Sequence, residues 1–172
     1  LANGVRLTLT STGNPSTCPA ESDYMDVTFI DAPTMSIGLP QTVCENDLAV
    51  NLVATSTNSS TMEWIGGTGI FVPSRFDPNA VYTSSSSEIT AGIVTLTAQT
   101  TDNGDCNPES DDLIITIEIA PVVDAGSTGV PQSVCDNNTL IQLAGTFSNA
   151  TQVTWSGAGV LSDANSPTST YQ

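Results

Sequence analysis

Oxygen-bearing side chains crowd one stretch of this chain and could bind a metal ion. They fill most positions between 102 and 112, as Asp102, Asn103, Asp105, Asn107, Glu109, Asp111 and Asp112. Calcium takes about six to eight oxygen ligands, often from flexible loops, so the calcium candidates are Asp102, Asp105, Asp111 and Asp112. A related loop at 11–17 has no acid, and an Asp-x-Asp-x-Asp-Gly spacing is missing. We therefore favour solvated loop charge over a metal site, and we expect no cofactor.

The sequence lacks the side chains that most catalytic sites use. It has no histidine and no lysine, and its basic residues are Arg6 and Arg75. General-base and nucleophile roles would then fall to carboxylates. The adjacent Asp111 and Asp112 would point to opposite faces of a strand, which does not suit an acid–base pair. We predict that this chain is not an enzyme.

The cysteines Cys18, Cys44, Cys106 and Cys135 favour disulfides over a zinc site. The chain has no histidine, and no two cysteines follow a Cys-x-x-Cys spacing, whereas structural zinc sites depend on such ligands. Disulfides form and persist in oxidising compartments. The cysteines therefore predict an extracellular or cell-surface location.

The charge balance excludes several classes of partner. The chain carries 18 acidic residues against two basic ones, which gives a formal net charge of −16. Nucleic-acid binding needs a surface of lysine and arginine, and anionic membranes attract basic segments. No apolar run approaches the roughly 20 residues of a membrane span. We expect no nucleic-acid partner and no membrane insertion.

The sequence contains an internal repeat with a period of about 90 residues. Segment 40–46, Pro-Gln-Thr-Val-Cys-Glu-Asn, returns at 131–137 as Pro-Gln-Ser-Val-Cys-Asp-Asn, Trp64 returns as Trp155, and Cys18 returns as Cys106. We predict the C-terminal part of a unit at 1–33, a complete unit at 34–121 and the N-terminal part of a further unit at 122–172. Units at 1–83 and 89–172 are the alternative phase. Both predict a chain cut from a longer array.

The repeat leaves the disulfide connectivity open. A bridge from Cys44 to Cys106 would close one unit, whereas Cys18–Cys44 with Cys106–Cys135, or partners outside the chain, would link units. Chain entropy gives about 4 kcal/mol for either closure and does not choose between them. In a sandwich, Cys44 and Cys106 would lie about 20 Å apart, which favours bridges between units. One cysteine of each class per unit favours closure within the unit.

Period-two alternation of apolar residues predicts an all-β fold. The predicted strands of the complete unit are Met35–Cys44, Ala49–Thr55, Thr61–Ile65, Gly69–Val72, Ala80–Thr83, Ile93–Thr100 and Leu113–Ile119. This number of short strands is typical of an immunoglobulin-like sandwich. Trp64 and Trp155 are predicted in the core, and the Ser85–Glu88 capping box predicts a helical turn. The alignment of Val5–Thr10 with the equivalent strand Ile93–Thr100 is open, because the sequence does not show which residues of the two strands correspond.

Several motifs carry a resemblance to a known group of repeats. They are Asp-Ala-Gly at 124–126, Pro-Gln-Ser/Thr-Val-Cys, Thr-Trp-Ser-Gly or Glu-Trp-Ile-Gly, Ala-Val-Tyr-Thr, Glu-Ile-Thr-Ala-Gly at 88–92 and Val-Thr-Leu-Thr at 94–97. The chain resembles the PKD-like and Ig-like repeats of very large Bacteroidota surface proteins. That group includes gliding-motility adhesins and appendages, generally exported by type IX secretion. The PKD motif Trp-Asp-Phe-Gly-Asp-Gly is absent, so the likeness to PKD domains concerns the fold.

The expected fold is a series of tandem immunoglobulin-like, PKD-like β-sandwich repeats of about 90 residues. The expected function is a structural or adhesive segment of a giant extracellular surface protein, as a stalk, adhesin or filament component. Its partners would be neighbouring repeats of the same chain and, in a homo-oligomeric appendage, other copies. The alternative is a calcium- or carbohydrate-binding accessory module of a secreted hydrolase.

Overall fold

The computed structural model of the chain describes residues 4–126, 133–137 and 140–172. Pro131 and Gln132 of the repeated motif lie outside the described residues. The chain begins with a hairpin of β1 (Gly4–Thr10) and β2 (Ser22–Thr28). Among the described residues, no helix is long and apolar enough to cross a membrane.

A complete β-sandwich follows the hairpin. Its elements are β3 (Thr34–Ile37), β4 (Gln41–Cys44), β5 (Ala49–Asn51), β6 (Ala54–Thr57), β7 (Thr61–Gly66), β8 (Ile70–Val72), β9 (Val81–Thr83), α1 (Ser86–Ala91), β10 (Ile93–Thr101) and β11 (Ser110–Glu118). One layer has the order β4-β11-β10-β7, and the other contains the two-stranded sheet β3-β6 and the three-stranded sheet β5-β9-β8. Backbone bonds from Leu52 to Ala80 and from Ala54 to Pro78 join these two sheets. The predicted all-β, immunoglobulin-like fold is confirmed.

Alternating side chains of the two layers form the core. On β10 the buried side chains are those of Val94, Leu96 and Ala98, and Trp64 on β7 is fully buried. β7 and β10 pair so that Trp64 lies opposite Ala98. Burying a large apolar side chain stabilises a fold by about 1.5–3 kcal/mol. The core prediction for Trp64 is therefore confirmed.

Two predicted strands are each broken into two. The predicted strand Met35–Cys44 consists of β3 in one layer and β4 in the other. The chain crosses between layers at residues 38–40, where Pro40 has no backbone N–H to continue the ladder. The predicted strand Ala49–Thr55 is divided into β5 and β6. Period-two alternation continues through both breaks, so it does not mark them.

The predicted helical turn is present as α1. Ser85 caps its N-terminus, and the side chains and backbone of Ser85 and Glu88 form the reciprocal bonds of a capping box. Gly92 ends the helix with φ of 73°, in the left-handed region that glycine occupies at low cost. The helix places Glu88 over the end of the sandwich beside Tyr82.

The C-terminal part repeats one layer of the sandwich. Its strands are β12 (Val122–Asp124), β13 (Ile141–Gln142), β14 (Thr146–Ser148) and β15 (Thr170–Tyr171). β12 pairs with β14 as β3 pairs with β6, and β13 pairs with β15 as β5 pairs with β9. The indole N–H of Trp155 donates to Ser166 at 3.0 Å, as that of Trp64 donates to Asp77 at 3.1 Å. Trp155 is half-buried, so its core prediction is met only in part.

Candidate functional site

The point where the hairpin meets the sandwich is the candidate functional site, and we call it the junction. It comprises the linker at 29–33, Asn58 in the β6–β7 turn and the loop at 102–106. The amide nitrogen of Asn58 donates to the carbonyl of Ala32 at 2.9 Å. Because Thr34 pairs with Thr57, this bond continues the β3–β6 ladder into the linker. It fixes the direction in which the chain enters the sandwich.

The same device occurs where the chain leaves the sandwich. Asn149 follows β14 and donates from its amide nitrogen to Ala120 at 3.1 Å. Asn58 and Asn149 have φ of 54° and 56°, in the left-handed region that asparagine tolerates better than most residues. The repeat therefore preserves the turn conformation, the donor and the linker carbonyl. Asn58 and Asn149 were not predicted to be functional residues, although both stand at matching positions of the repeat.

The loop at 102–106 completes the first junction. The thiol of Cys106 lies 3.8 Å from the carbonyl oxygen of Asp31. Ile30 lies against the same loop, with its terminal methyl 4.0 Å from the position of a Cβ on Gly104. A shallow cleft between linker and sandwich is lined by Phe29, Ile30, Asp31, Asn58 and Asn103, together with Thr28. Linker and sandwich are thus in direct contact.

Removing the Asn58 amide should loosen the first junction. We expect Asn58→Gly to raise the rate of proteolytic cleavage within 29–33 by about five- to tenfold, because one hydrogen bond contributes about 0.5–1.5 kcal/mol. Glycine keeps the positive φ, so the backbone turn is preserved. Limited proteolysis with mass spectrometry measures the rate.

Asn14 provides the matched control for this test. Its amide donates to Pro19 at 3.2 Å inside the hairpin loop, away from the linker. Asn14→Gly should leave the cleavage rate of the linker unchanged. An equal effect of both variants would contradict the role of Asn58.

The calcium candidates are not brought together. The calcium prediction grouped Asp111 and Asp112 with the loop residues, but both lie on β11, because that strand begins at Ser110. Asp111 accepts a bond from the backbone of Ile37 at 3.3 Å, and Asp112 accepts one from the Thr97 hydroxyl at 2.6 Å. Within 4–126, 133–137 and 140–172, no three Cys, Asp or Glu side chains are grouped to hold a metal ion. Asp102 and Asp105 lie in the loop that follows β10.

No two of the four cysteines are bonded to each other within the chain; Cys18 and Cys135 are exposed, and Cys44 and Cys106 are half-buried. Cys44 pairs with Glu118 at the end of β11, whereas Cys106 precedes the start of that strand. The length of β11 separates them by about 25 Å, against the roughly 7 Å between Cα atoms that a bridge allows. The Cys44–Cys106 closure is therefore wrong for this fold.

The bridges Cys18–Cys44 and Cys106–Cys135 are absent as well. Cys18 lies in the hairpin loop, which meets β2 at the end away from the linker at 29–33. Cys44 lies beside Glu118, at the end of β11 away from that linker. Cys106 contacts the linker at 29–33, whereas Cys135 follows β12, on the far side of residues 119–121 that connect the sandwich to the C-terminal part. Neither pair meets at a junction, so bridges to cysteines outside the chain are the connectivity that stays a prediction.

Non-reducing peptide mapping of the purified chain tests this geometry. We expect no peptide that links any two of the four cysteines within one chain. Alkylation of the native protein should modify the exposed Cys18 and Cys135 before the half-buried Cys44 and Cys106. A Cys44–Cys106 peptide in the monomer would contradict the arrangement of β4 and β11.

The comparisons with known proteins concern the fold. No protein-family model matches the sequence, and no curated relative is found. The solution structure of the PKD domain of human KIAA0319 is similar with a TM-score of 0.37 at 13% identity, over 61% of this chain and 91% of that domain. Mouse cadherin-23 EC22-24 is similar with a TM-score of 0.40 at 19% identity, over 99% of this chain and 64% of that one. For protocadherin gamma B2 EC1-5 the values are 0.38 and 16%, over 99% of this chain and 38% of that one.

Proposed function

We propose that this chain is a structural or adhesive repeat segment of an extracellular surface protein, where it acts as part of a stalk, adhesin or filament. The observation that carries the proposal is the repeated junction. Asn58 ties the entry of the chain to the sandwich, and Asn149 does the same after the exit. A unit that fixes the direction of its neighbours at both ends can be extended in series.

The pairing of β4 with β11 supports a mechanical role. β4 is the second strand of the sandwich and β11 is the last. The two strands run parallel, from Gln41 beside Ile115 to Cys44 beside Glu118. Tension applied through the two linkers would pull them in opposite directions along their lengths. The hydrogen bonds between the strands would then be loaded together and not one after another.

The net charge of the chain supports an exposed location within a series of repeats. A formal net charge of −16 on 172 residues favours mutual repulsion and solubility of neighbouring units. The proposal assigns no catalytic activity and no nucleic-acid partner to the chain, since it has no histidine and two basic residues. Units at 1–33, 34–121 and 122–172 are the proposed domains.

We also propose a finer identity from the motif resemblance. The longer protein that contains this chain would be one of the very large Bacteroidota surface proteins exported by type IX secretion, of the gliding-adhesin or appendage type. Neighbouring repeats of the same chain would be the immediate partners.

Labelling of intact cells that produce the protein tests the location. Antibodies raised against residues 34–121 should bind without permeabilisation and should decorate extended surface structures in electron micrographs. An antibody against a cytoplasmic protein serves as the control for intact cells. Labelling that needs permeabilised cells would overturn the proposal.

A further inference from the structure

An asparagine followed by glycine lies in the loop at 102–106, as Asn103 and Gly104. The side-chain carbonyl carbon of an asparagine can be attacked by the backbone nitrogen of the next residue, because a small, unstrained ring forms. Glycine hinders this approach least, since it has no side chain. The junction therefore contains two residues that can react with each other without an enzyme.

The structure leaves the attacking atom available. Within the described residues, the backbone N–H of Gly104 has no hydrogen-bond partner. Gly104 is exposed, so water and hydroxide can reach it. Its proton can therefore be removed without breaking a hydrogen bond of the fold.

The side chain of Asn103 is held on one side. Its amide nitrogen donates to the carbonyl of Thr100 at 3.2 Å. Its carbonyl oxygen is buried and, in the part of the chain that the structure describes, accepts no hydrogen bond. Asp31 lines the same cleft, and Asp102 and Asp105 belong to the same loop. A carboxylate at position 103 would therefore lack a donor and add to the negative charge around it, which costs free energy of folding.

We propose that Asn103 is a site of spontaneous deamidation that loosens the junction with time. The backbone nitrogen of Gly104 loses its proton to hydroxide and bonds to Cγ of Asn103. The side-chain nitrogen takes up a proton and leaves as ammonia, which gives a cyclic succinimide. Water then opens the ring. Breaking the bond from nitrogen to Cγ gives aspartate, and breaking the bond from nitrogen to the main-chain carbon gives isoaspartate, so the net reaction consumes water and releases ammonia.

Both products change contacts beside the linker. Aspartate replaces the amide that donates to Thr100 by a carboxylate, which cannot donate. In isoaspartate the chain runs through the side-chain carbons, and the former main-chain carbonyl becomes a free carboxylate. That carbonyl accepts a bond from the backbone N–H of Cys106 at 3.2 Å, and the Cys106 thiol lies against Asp31 of the linker. The modification therefore disturbs the side of the junction that the loop at 102–106 supplies.

The related loop at 11–17 cannot react in this way. Its asparagine is Asn14, and the next residue is Pro15, whose nitrogen carries no hydrogen. Asn14 is therefore an internal control in the same molecule. The inference concerns the covalent stability of the junction and not the extracellular role, so either can fail without the other.

Incubation of the purified chain at neutral and at mildly alkaline pH tests the reaction. We expect the peptide that contains Asn103 to show the mass change from an amide to an acid, increasing over days and faster at the higher pH. Protein isoaspartate methyltransferase should label the same peptide. The peptide that contains Asn14 should keep its mass at that residue. An Asn103 that stays unmodified at alkaline pH would overturn the inference.

Two variants separate the reaction from its consequence. Asn103→Asp carries the product charge from the start, so limited proteolysis within 29–33 should be at least about fivefold faster than in fresh wild type. Asn103→Gln keeps an amide, but its longer side chain would have to close a larger ring, which forms more slowly. During the incubation the cleavage rate should rise in the wild type and stay constant in Asn103→Gln. Modified wild type, or Asn103→Asp, that is cleaved as slowly as fresh wild type would contradict the loosening of the junction.

Discussion

Replacing Trp64 by alanine should destabilise the central sandwich by about 3–5 kcal/mol, the range for truncating a buried tryptophan. Trp64 is fully buried, and its indole N–H donates to Asp77. A unit of this size buries only about 60–65% of its unfolded surface, so the loss is a large part of its stability. Urea unfolding followed by circular dichroism measures the change in the free energy of unfolding.

Trp155 supplies the matched comparison. It holds the equivalent position and makes the equivalent bond to Ser166, but it is only half-buried. In dilute solution, Trp155→Ala should cost about 1 kcal/mol, since little apolar surface returns to water. Equal losses of unfolding free energy at both positions would contradict the domain boundaries that give a complete unit at 34–121, and would favour units at 1–83 and 89–172.

Removing the carboxylate of Glu88 should have the second large effect. The carboxylate accepts bonds from the backbone N–H of Thr68 at 2.6 Å and of Ser85 at 2.7 Å, and from the Tyr82 hydroxyl at 2.7 Å. In Glu88→Ala the buried Tyr82 hydroxyl and the part-buried N–H groups of Thr68 and Ser85 lose their acceptor, and a buried donor left unpaired costs about 1–3 kcal/mol. We expect a total loss of about 3–5 kcal/mol, and a smaller loss for Glu88→Gln.

The pH dependence of stability provides an independent signature of Glu88. Burial alone raises the pKa of Glu88, but the bonds from Ser85, Thr68 and Tyr82 outweigh burial, and the net pKa lies below the ordinary value of 4.5. Burial and the bond to Glu88 raise the pKa of Tyr82 to about 12. A carboxylate with a lowered pKa stabilises the fold above its unfolded pKa, and this contribution is lost as the pH falls through the folded pKa.

The stability difference between wild type and Glu88→Gln should therefore be constant near neutral pH and should shrink as the pH falls below about 4.5. Guanidinium unfolding at a series of pH values measures this difference. Glu118→Gln, which changes an exposed residue at the end of β11, serves as the control. A difference that stays constant down to acid pH would contradict the role given to the carboxylate.

Local pattern was sufficient for much of the fold. The alternation at Val94, Leu96 and Ala98 predicted their strand, and the Ser85–Glu88 spacing predicted the helix cap. Both signals arise from neighbouring residues, so one sequence contains them. The crossing at Pro40 and the early start of β11 at Ser110 depend on which distant strand supplies the partner, and alternation alone carries no such information.

The site was less accessible from sequence than the fold. Asn58 and Asn149 stand at matching positions, but their role at the junctions depends on a left-handed turn and on bonds to the carbonyls of Ala32 and Ala120. The cysteines illustrate the same limit. Their spacing allowed bridges within and between units, and only the placement of Cys44 and Cys106 at opposite ends of β11 removed the closure within the unit.

Single-molecule force spectroscopy tests the central claim most directly, namely that one complete, tension-resistant sandwich is flanked by two incomplete units. Handles at the two ends of the chain apply tension along the proposed axis. At dilutions where the chain is monomeric, we predict one unfolding peak with an increase in contour length of about 250–300 Å, from about 85 residues between β3 and β11 at up to 3.6 Å each. Two equal peaks would contradict the domain boundaries with one complete unit at 34–121, and extension without a peak would contradict the mechanical role.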